Sequence, residues 1–281
     1  MPGILYVVAT PIGNLEDVTL RALKVLRDVS LVAAEDTRRT ARLLQHYSIS
    51  TPTTSLHEHN EHEKSPKLVQ RLLAGDSLAL VSDAGTPVVS DPGEALIASA
   101  RAAGIRVESV PGPSAVMAAI SSSGLDAREF TFLGFPPGRS KDRIAWLQRI
   151  ALEPRLVVFF EAPHRIIGTL TYLETICGRD RVVGVGRELT KAHEELVVGP
   201  IHEIIERFKN PRGEFTLLLP PTPIGPAENA SVDDVTLQSE FSQLTNSGGL
   251  KRREALKKLA DRHGIPVNVL YRRVADTDLD R

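Results

Sequence analysis

The chain has 281 residues, 42% of them hydrophobic and 25% charged, with a formal net charge of -1, so it is a globular chain long enough for two domains and a small appendage, with no chain-wide basic footprint for nucleic acid. A single cysteine, Cys177, excludes a disulfide framework and a cysteine-based zinc cluster and fits a reducing compartment. No uncharged apolar run approaches the ~18 residues of a membrane span, and the start MPGILYVVATPIGN lacks the charged n-region of a signal peptide, so the expected location is cytoplasmic.

From residue 4 to about 125, short β-branched runs alternate with helical segments, as a doubly wound parallel sheet requires. The runs are ILYVVA (4–9), SLVAA (30–34), SLALVS (77–82) and RVESV (106–110), each continuous enough to predict a strand covered on both faces. Between them, VTLRALKVLRDV places Leu20, Leu23 and Leu26 at helical spacing, and Gly93 to Ala103 reads as a helix. A second half begins near TFLGFPPGRS (131–140), with strands at RLVVFF (155–160), RVVGVG (181–186) and EFTLLLP (214–220) and helices around 141–152, 164–176 and 201–209. PPTPIGPAENA (220–230) reads as a linker, because its prolines cannot extend a central strand. Beyond it, LQSEFSQLT and GLKRREALKKLADRHG are helical, the second ending on Gly264 with Pro266 after it. The expected division is therefore an N-terminal α/β domain (1–125), a second α/β domain (126–222) and a helical C-terminal domain (232–281).

Ligands of open α/β sheets sit beyond the carboxyl ends of the strands, so the turns there are candidate pieces of a site. ATPIGNLED (9–17) offers a tight turn at Gly13 and an amide at Asn14, but no dinucleotide fingerprint. AAEDTRRT (33–40) puts Glu35 and Asp36 beside Arg38 and Arg39, and either Asp36 or Thr37 suits a helix cap. SDAGTPVVSDPG (82–93) carries two Asp-containing turns within a dozen residues, turn chemistry that suits a backbone approaching a ligand closely. VPGPSAV (110–116) aims Ser114 and the following amides from a helix N-terminus. FFEAPHR (159–165) and GRELTKAHEE (186–195) add Glu161, His164, Arg165, Arg187, Glu188 and Lys191 at strand ends. HEHNEHEK (57–64) lacks a metal-binding scaffold and reads as a mobile polar loop over the cleft, so no metal is expected. Trp146 and Leu147 read as helix core.

Taken together and in this order, LYVVATPIGNLED, AAEDTRRT, LVSDAGTPVVSDPG, VPGPSA, FFEAPHR, GRELTKAHEE and GEFTLLL resemble the signature series of the ribosomal RNA small subunit methyltransferase I family, within the tetrapyrrole methylase superfamily. The resemblance runs from residue 4 to at least 219, and the tail is similar to that family's C-terminal domain. It implies a class III methyltransferase fold: two α/β domains with S-adenosylmethionine in the cleft between them, usually as a homodimer. The implied reaction is methylation of the 2′-oxygen of a decoding-centre cytidine in the 16S rRNA of the small ribosomal subunit. By position it implies cofactor contacts at Asp83, Ala84 and Gly85, at Ser114 and Ala115, and at Ile12 and Phe160. The Gly-rich first loop of tetrapyrrole methylases is replaced here by TPIGN, which argues against a porphyrinoid substrate.

Activating a ribose hydroxyl calls for a base or a cation, and Glu35, Asp36, Glu188 and Lys191 are the candidates. Substrate contacts are expected at Thr10, Gly13, Asn14, Arg38, Arg165, Arg187, Lys251 and Arg252, within the clusters Arg38–Arg39–Arg42, Arg139–Lys141–Arg143 and Lys251–Arg252–Arg253 with Lys257–Lys258. Two other readings compete: a methyltransferase acting on a tetrapyrrole or another small or protein-borne acceptor, and a non-catalytic ribosome-binding factor of the same fold.

Overall fold

A computed structural model of the protein describes residues 1–221, 234–247, 249–263 and 267–275. The linker segment 222–230, Gly264 and Pro266 lie outside the described residues. Contacts divide the chain into two compact units, Met1–Pro221 and Thr222–Arg281.

The first half of the larger unit alternates β1 (Ile4–Val8), α1 (Leu20–Asp28), β2 (Leu31–Ala34), α2 (Thr37–His46), β3 (Thr53–Ser55), α3 (Glu61–Leu73), β4 (Leu78–Val81), α4 (Glu94–Ala102), β5 (Arg106–Val110) and α5 (Ala115–Ser123). Its strands form one parallel sheet in the order β3-β2-β4-β1-β5, with Leu5 opposite Leu78 and Val8 opposite Val110. β2 and β4 are buried at every position, as continuous apolar runs should be. β5 departs from that expectation: it is the edge strand, and Arg106 and Ser109 face solvent. In α1 the helical spacing points differently from the leucine pattern. Thr19 caps it by accepting from the Ala22 amide, Ala22, Val25 and Leu26 face the core, and Leu20 is exposed.

The second half comprises β6 (Phe130–Phe132), α6 (Ser140–Ile150), β7 (Leu156–Glu161), α7 (Ile166–Cys177), β8 (Val182–Arg187), β9 (Glu195–Pro200), α8 (Ile201–Arg207) and β10 (Phe215–Leu219). Its sheet, in the order β6-β7-β10-β8-β9, is parallel only between β6 and β7 and antiparallel elsewhere, so the parallel arrangement of the first half is not repeated. Period-two alternation assigns its two faces. Val157, Phe159, Leu217 and Leu219 join the helices of the second half, Leu147 among them, with Trp146 edge-on to Phe159 at 5.2 Å. Val158 and Leu218 turn the other way and pack with Ile12, Val116 and Ala119 from the first half. That shared apolar layer fixes the loops of one sheet against the inner face of the other.

The smaller unit consists of α9 (Asp234–Ser242), a π-helical segment (Gln243–Ser247), α10 (Arg252–His263) and α11 (Val267–Ala275) around Leu237, Leu256, Leu259 and Leu270. Among the described residues no helix is long and apolar enough to cross a membrane.

Candidate active site

Strands β4, β1 and β5 are neighbours, so the loops leaving their carboxyl ends stand side by side, at the switch point where a doubly wound sheet opens. They wall a cleft of about 360 Å³, closed opposite by the exit of β7 and the entry to β10. Ile12, Ala84, Gly85, Ser114, Ala115 and Phe160 all line it. Ser114 caps α5, its hydroxyl accepting from the Met117 amide, so the N-terminus of that helix opens at the cleft. The loops of β1 and β4 are stitched together: Thr10 and Gly85 exchange backbone hydrogen bonds of 2.8 and 3.0 Å, and the Thr10 hydroxyl donates to the Ser82 carbonyl. Thr10 is thereby buried and acts as a stitch between loops.

The second loop turns repeatedly through the left-handed region, and Gly85 and Ser90 of it line the cleft. Gly85 (φ 80), Val88 (φ 73), Ser90 (φ 68) and Gly93 (φ 129) all have positive φ. For the β-branched Val88, which packs against the core behind the loop, that conformation costs on the order of 1–3 kcal/mol. A side chain at Gly85 would press on the Ile12 methyl, 3.3 Å from the position of a Cβ.

The charge of this cleft is one-signed. Asp91, Glu161 and Glu214 line it, and no Lys, Arg or His does so among the described residues. Glu161 is committed, accepting from the Ala162 amide and the Thr169 hydroxyl, and Glu214 pairs with Lys191. Asp91 is half-buried, and its carboxyl is pushed up to about 6 by burial and by the charges of Glu35 and Asp83, against the opposing effect of the Ser82 hydroxyl.

Asp83, expected beside Ala84 and Gly85, does not line this cleft. Its carboxylate accepts from the Asp36 amide and pairs with Arg39 at 3.4 Å, and it lines a separate cavity of about 160 Å³ with Thr10, Arg39 and Arg42. Glu35 returns the bond, accepting from the Asp83 amide at 3.1 Å; burial raises its pKa, as does the charge of Asp83, while that amide opposes the shift. Asp36 caps α2 and grips Arg38, which holds it well below the usual carboxylate range. Both members of that pair are thus engaged with each other, and Arg39 and Arg42 are the cations that face the cavity.

Glu188 and Lys191 sit in a tight turn after β8, in which Glu188 (φ 49) and Thr190 (φ 65) also have positive φ. The Lys191 ammonium donates to Glu188 at 2.8 Å and to Glu214 at 3.0 Å. Burial opposes both charges, yet the pairing wins: Glu188 stays below its ordinary pKa and Lys191 above its own. Gly13 lies flush against this turn, where a Cβ would stand 2.8 Å from the Thr190 hydroxyl, and the Asn14 amide donates to that hydroxyl.

Arg165 occupies the N-cap position of α7, its Nε directed at His164, and Arg187 pairs with Glu195 at 3.6 Å. Neither lines the cleft. In the smaller unit Lys251 is exposed, and the Arg252 guanidinium stacks 5.7 Å from the Phe241 ring and 5.8 Å from the Tyr271 ring, an arrangement that braces the helices. The stretch HEHNEHEK, expected as a loop over the cleft, instead runs into α3: Glu61 opens that helix and is buried, accepting from the amides of Gly93 and Ala95 at the start of α4. Among the described residues no His, Cys, Asp or Glu cluster is arranged to hold a metal ion.

Reading by local motif missed Asp91, Thr190 and Glu214. The repeated Asp turn of SDAGTPVVSDPG was the available signal for the first; the other two are brought in by pairings across the fold.

The doubly wound parallel sheet, the mixed second sheet and the cleft at their junction define a methyltransferase of the tetrapyrrole methylase class; the family described as Tetrapyrrole (Corrin/Porphyrin) Methylases matches residues 4–205. The crystal structure of the methyltransferase CobJ has the same fold, with a TM-score of 0.61 at 18% identity over 78% of this chain and 94% of its own. So does uroporphyrin-III C-methyltransferase from Thermus thermophilus complexed with S-adenyl homocysteine, with a TM-score of 0.56 at 20% identity over 77% and 97%. Ribosomal RNA small subunit methyltransferase I of Synechocystis sp. is 44% identical over 99% of this chain and 99% of its own length, and that of Escherichia coli O157:H7 40% identical over 96% and 94%. The chain belongs to the ribosomal RNA small subunit methyltransferase I family.

Proposed function

We propose that the protein transfers a methyl group from S-adenosylmethionine to the 2′-oxygen of a ribose, that of a decoding-centre cytidine, in small-subunit ribosomal RNA. The observation that carries this reading is a pair of cavities of opposite character sharing one wall. The larger is acidic and apolar; the smaller presents Arg39 and Arg42; the stitched loops Thr10–Ile12 and Ser82–Gly85 contribute to both.

The larger cleft suits the donor on its own chemistry. Its charged lining is carboxylate only, which favours a cationic ligand and disfavours a nucleotide phosphate. Ile12, Ala115 and Phe160 offer apolar walls to an adenosyl group, the Ala84–Gly85 backbone lines the cleft without a bulky side chain, and the N-terminus of α5 suits a carboxylate. Bound there, S-adenosylmethionine supplies an electrophilic methyl group that departs from a sulfonium. The protein's remaining work is to hold the hydroxyl in line and manage its proton. Of the four acid–base candidates, Asp36 is spent on its cap and Glu188 on Lys191. Glu35, whose pKa is raised, accepts the proton from the hydroxyl, and Lys191, whose charge the pairing with Glu188 and Glu214 favours, stabilises negative charge developing on the oxygen.

RNA affinity comes from Arg39 and Arg42 beside the acceptor cavity and from Lys251, Arg253, Lys257 and Lys258, which are exposed on and just before α10. Replacing Arg39 and Arg42 together by Ala is expected to weaken binding of small-subunit RNA about tenfold and to make the salt dependence of log affinity shallower by about 1.5. Binding of S-adenosylmethionine, measured by calorimetry on the same variant, is expected to stay within about twofold. Unchanged RNA affinity at matched salt contradicts this assignment of the acceptor side.

A further inference from the structure

The local sequence Ser90-Asp91-Pro92-Gly93-Glu94 has the form of a helix start at which Asp91 would serve as the cap. The fold assigns that duty elsewhere. Glu61, from a different helix, accepts from the amides of Gly93 at 3.1 Å and Ala95 at 2.6 Å, and Asp91 is left facing the acidic cleft from a loop held in positive φ on both sides. A carboxyl relieved of its structural task by a tertiary replacement, and turned into a cavity without a cation to meet it, is arranged for a cationic ligand. We infer that Asp91 makes the cleft distinguish the positively charged sulfonium donor from the neutral thioether product, and so favours product release. This rests on assigning the cleft to S-adenosylmethionine.

Donor and product share the same adenosine, ammonium and carboxylate groups and differ by one methyl and one positive charge, so a preference between them reports on whatever faces the sulfur. Around Asp91, Glu35 and Asp83 approach from the loops after β2 and β4, Arg39 of α2 is paired with Asp83, and Glu161 and Glu214 stand on the opposite wall. With no ligand bound, Asp91 carries its proton below a pH of about 6. Uptake of the cationic donor favours the carboxylate and releases that proton to solvent. Once the sulfur is neutral, the carboxylate has lost its counter-charge and retakes a proton from solvent.

Calorimetric titration of the whole protein with S-adenosylmethionine, S-adenosylhomocysteine and the amine analogue sinefungin, between about pH 5 and pH 7.5, tests this. Donor affinity is expected to rise roughly tenfold across that range, following the ionisation of Asp91 near pH 6, with sinefungin behaving alike and S-adenosylhomocysteine changing less than about twofold. Asp91→Asn is expected to weaken the donor about tenfold at the upper pH, leave the product within about twofold and flatten the pH dependence. Folding of the variant is checked by its melting temperature, which should rise. The carboxyl's folded pKa lies above its unfolded value, so stability present at acid pH is lost as pH rises through about 6, and the amide avoids that loss. Equal weakening of donor and product by Asp91→Asn, or a donor-to-product ratio that ignores both pH and the substitution, overturns the inference. Failure of the wild type to bind either ligand overturns the assignment of the cleft and the inference with it.

Discussion

Replacing Lys191 by Met is expected to lower kcat for methyl transfer by about 10²–10³-fold, the usual loss when one fixed donor to a developing oxyanion is removed, with cofactor affinity within about twofold. Two carboxylates hold the ammonium, Glu188 at 2.8 Å and Glu214 at 3.0 Å, in a turn whose backbone is forced into positive φ at Glu188 and Thr190. The side chain of a surface lysine ordinarily has freedom to lose; here that freedom is already removed. The first-half loop closes on the same turn through Gly13 and the Asn14 amide. Lys191 therefore stands where the TPIGN loop after β1 meets the second half. Methionine retains most of the apolar stem, so the loss reports on the charge. Arginine keeps the charge but its planar fork cannot reproduce a compact ammonium between two carboxylates, and Lys191→Arg is expected to recover little. Single-turnover kinetics at saturating cofactor separate the outcomes: a kcat within about fivefold of wild type removes Lys191 from the chemistry.

The second large effect is on stability. Glu61→Ala is expected to cost about 2–4 kcal/mol, because hydrogen bonds to a charged acceptor contribute about 1.5–3 kcal/mol each and the amides of Gly93 and Ala95 would be left without it. The site is buried, so water offers the amides little replacement. For a chain of this size such a loss lowers the melting temperature by roughly 5–15 °C. Glu61→Gln retains an acceptor of the same shape and should lose less than half as much. Thermal unfolding of both variants checks this, and a melting temperature within about 2 °C of wild type for Glu61→Ala shows that α4 needs no cap from α3.

How far these features could be read in advance depended on whether their cause was local. Strands β2 and β4 were legible because a strand covered on both faces has to be apolar throughout. The edge strand β5 carries Arg106, Glu108 and Ser109 among its two valines, so its polar residues already signalled solvent that the reading of a strand covered on both faces passed over. The short β3, Thr-Thr-Ser, and β9, which follows directly on a charged turn, carried too little pattern to stand out. Within the site, Ile12, Gly85 and Ser114 converge because strand order puts their loops together, and Phe160 meets them from β7 of the other sheet, a packing that motif spacing cannot measure. Asp83 and Arg38 carried the right chemistry for a site, yet their charges are occupied by Arg39 and Asp36. Asp91 shows the opposite case. Its sequence has the form of a cap, and only the arrival of Glu61 from a distant helix removes it from that role.

The proposed donor cleft and acceptor cavity share the wall made by the loops of β1 and β4. Incubating the protein with small ribosomal subunits that lack the modification and with methyl-labelled S-adenosylmethionine, then digesting the RNA to nucleosides for mass spectrometry, tests it most directly. Label on the ribose of a 2′-O-methylated cytidine is the predicted result. Label on a base, or none in RNA while a porphyrinoid acceptor becomes methylated, contradicts it.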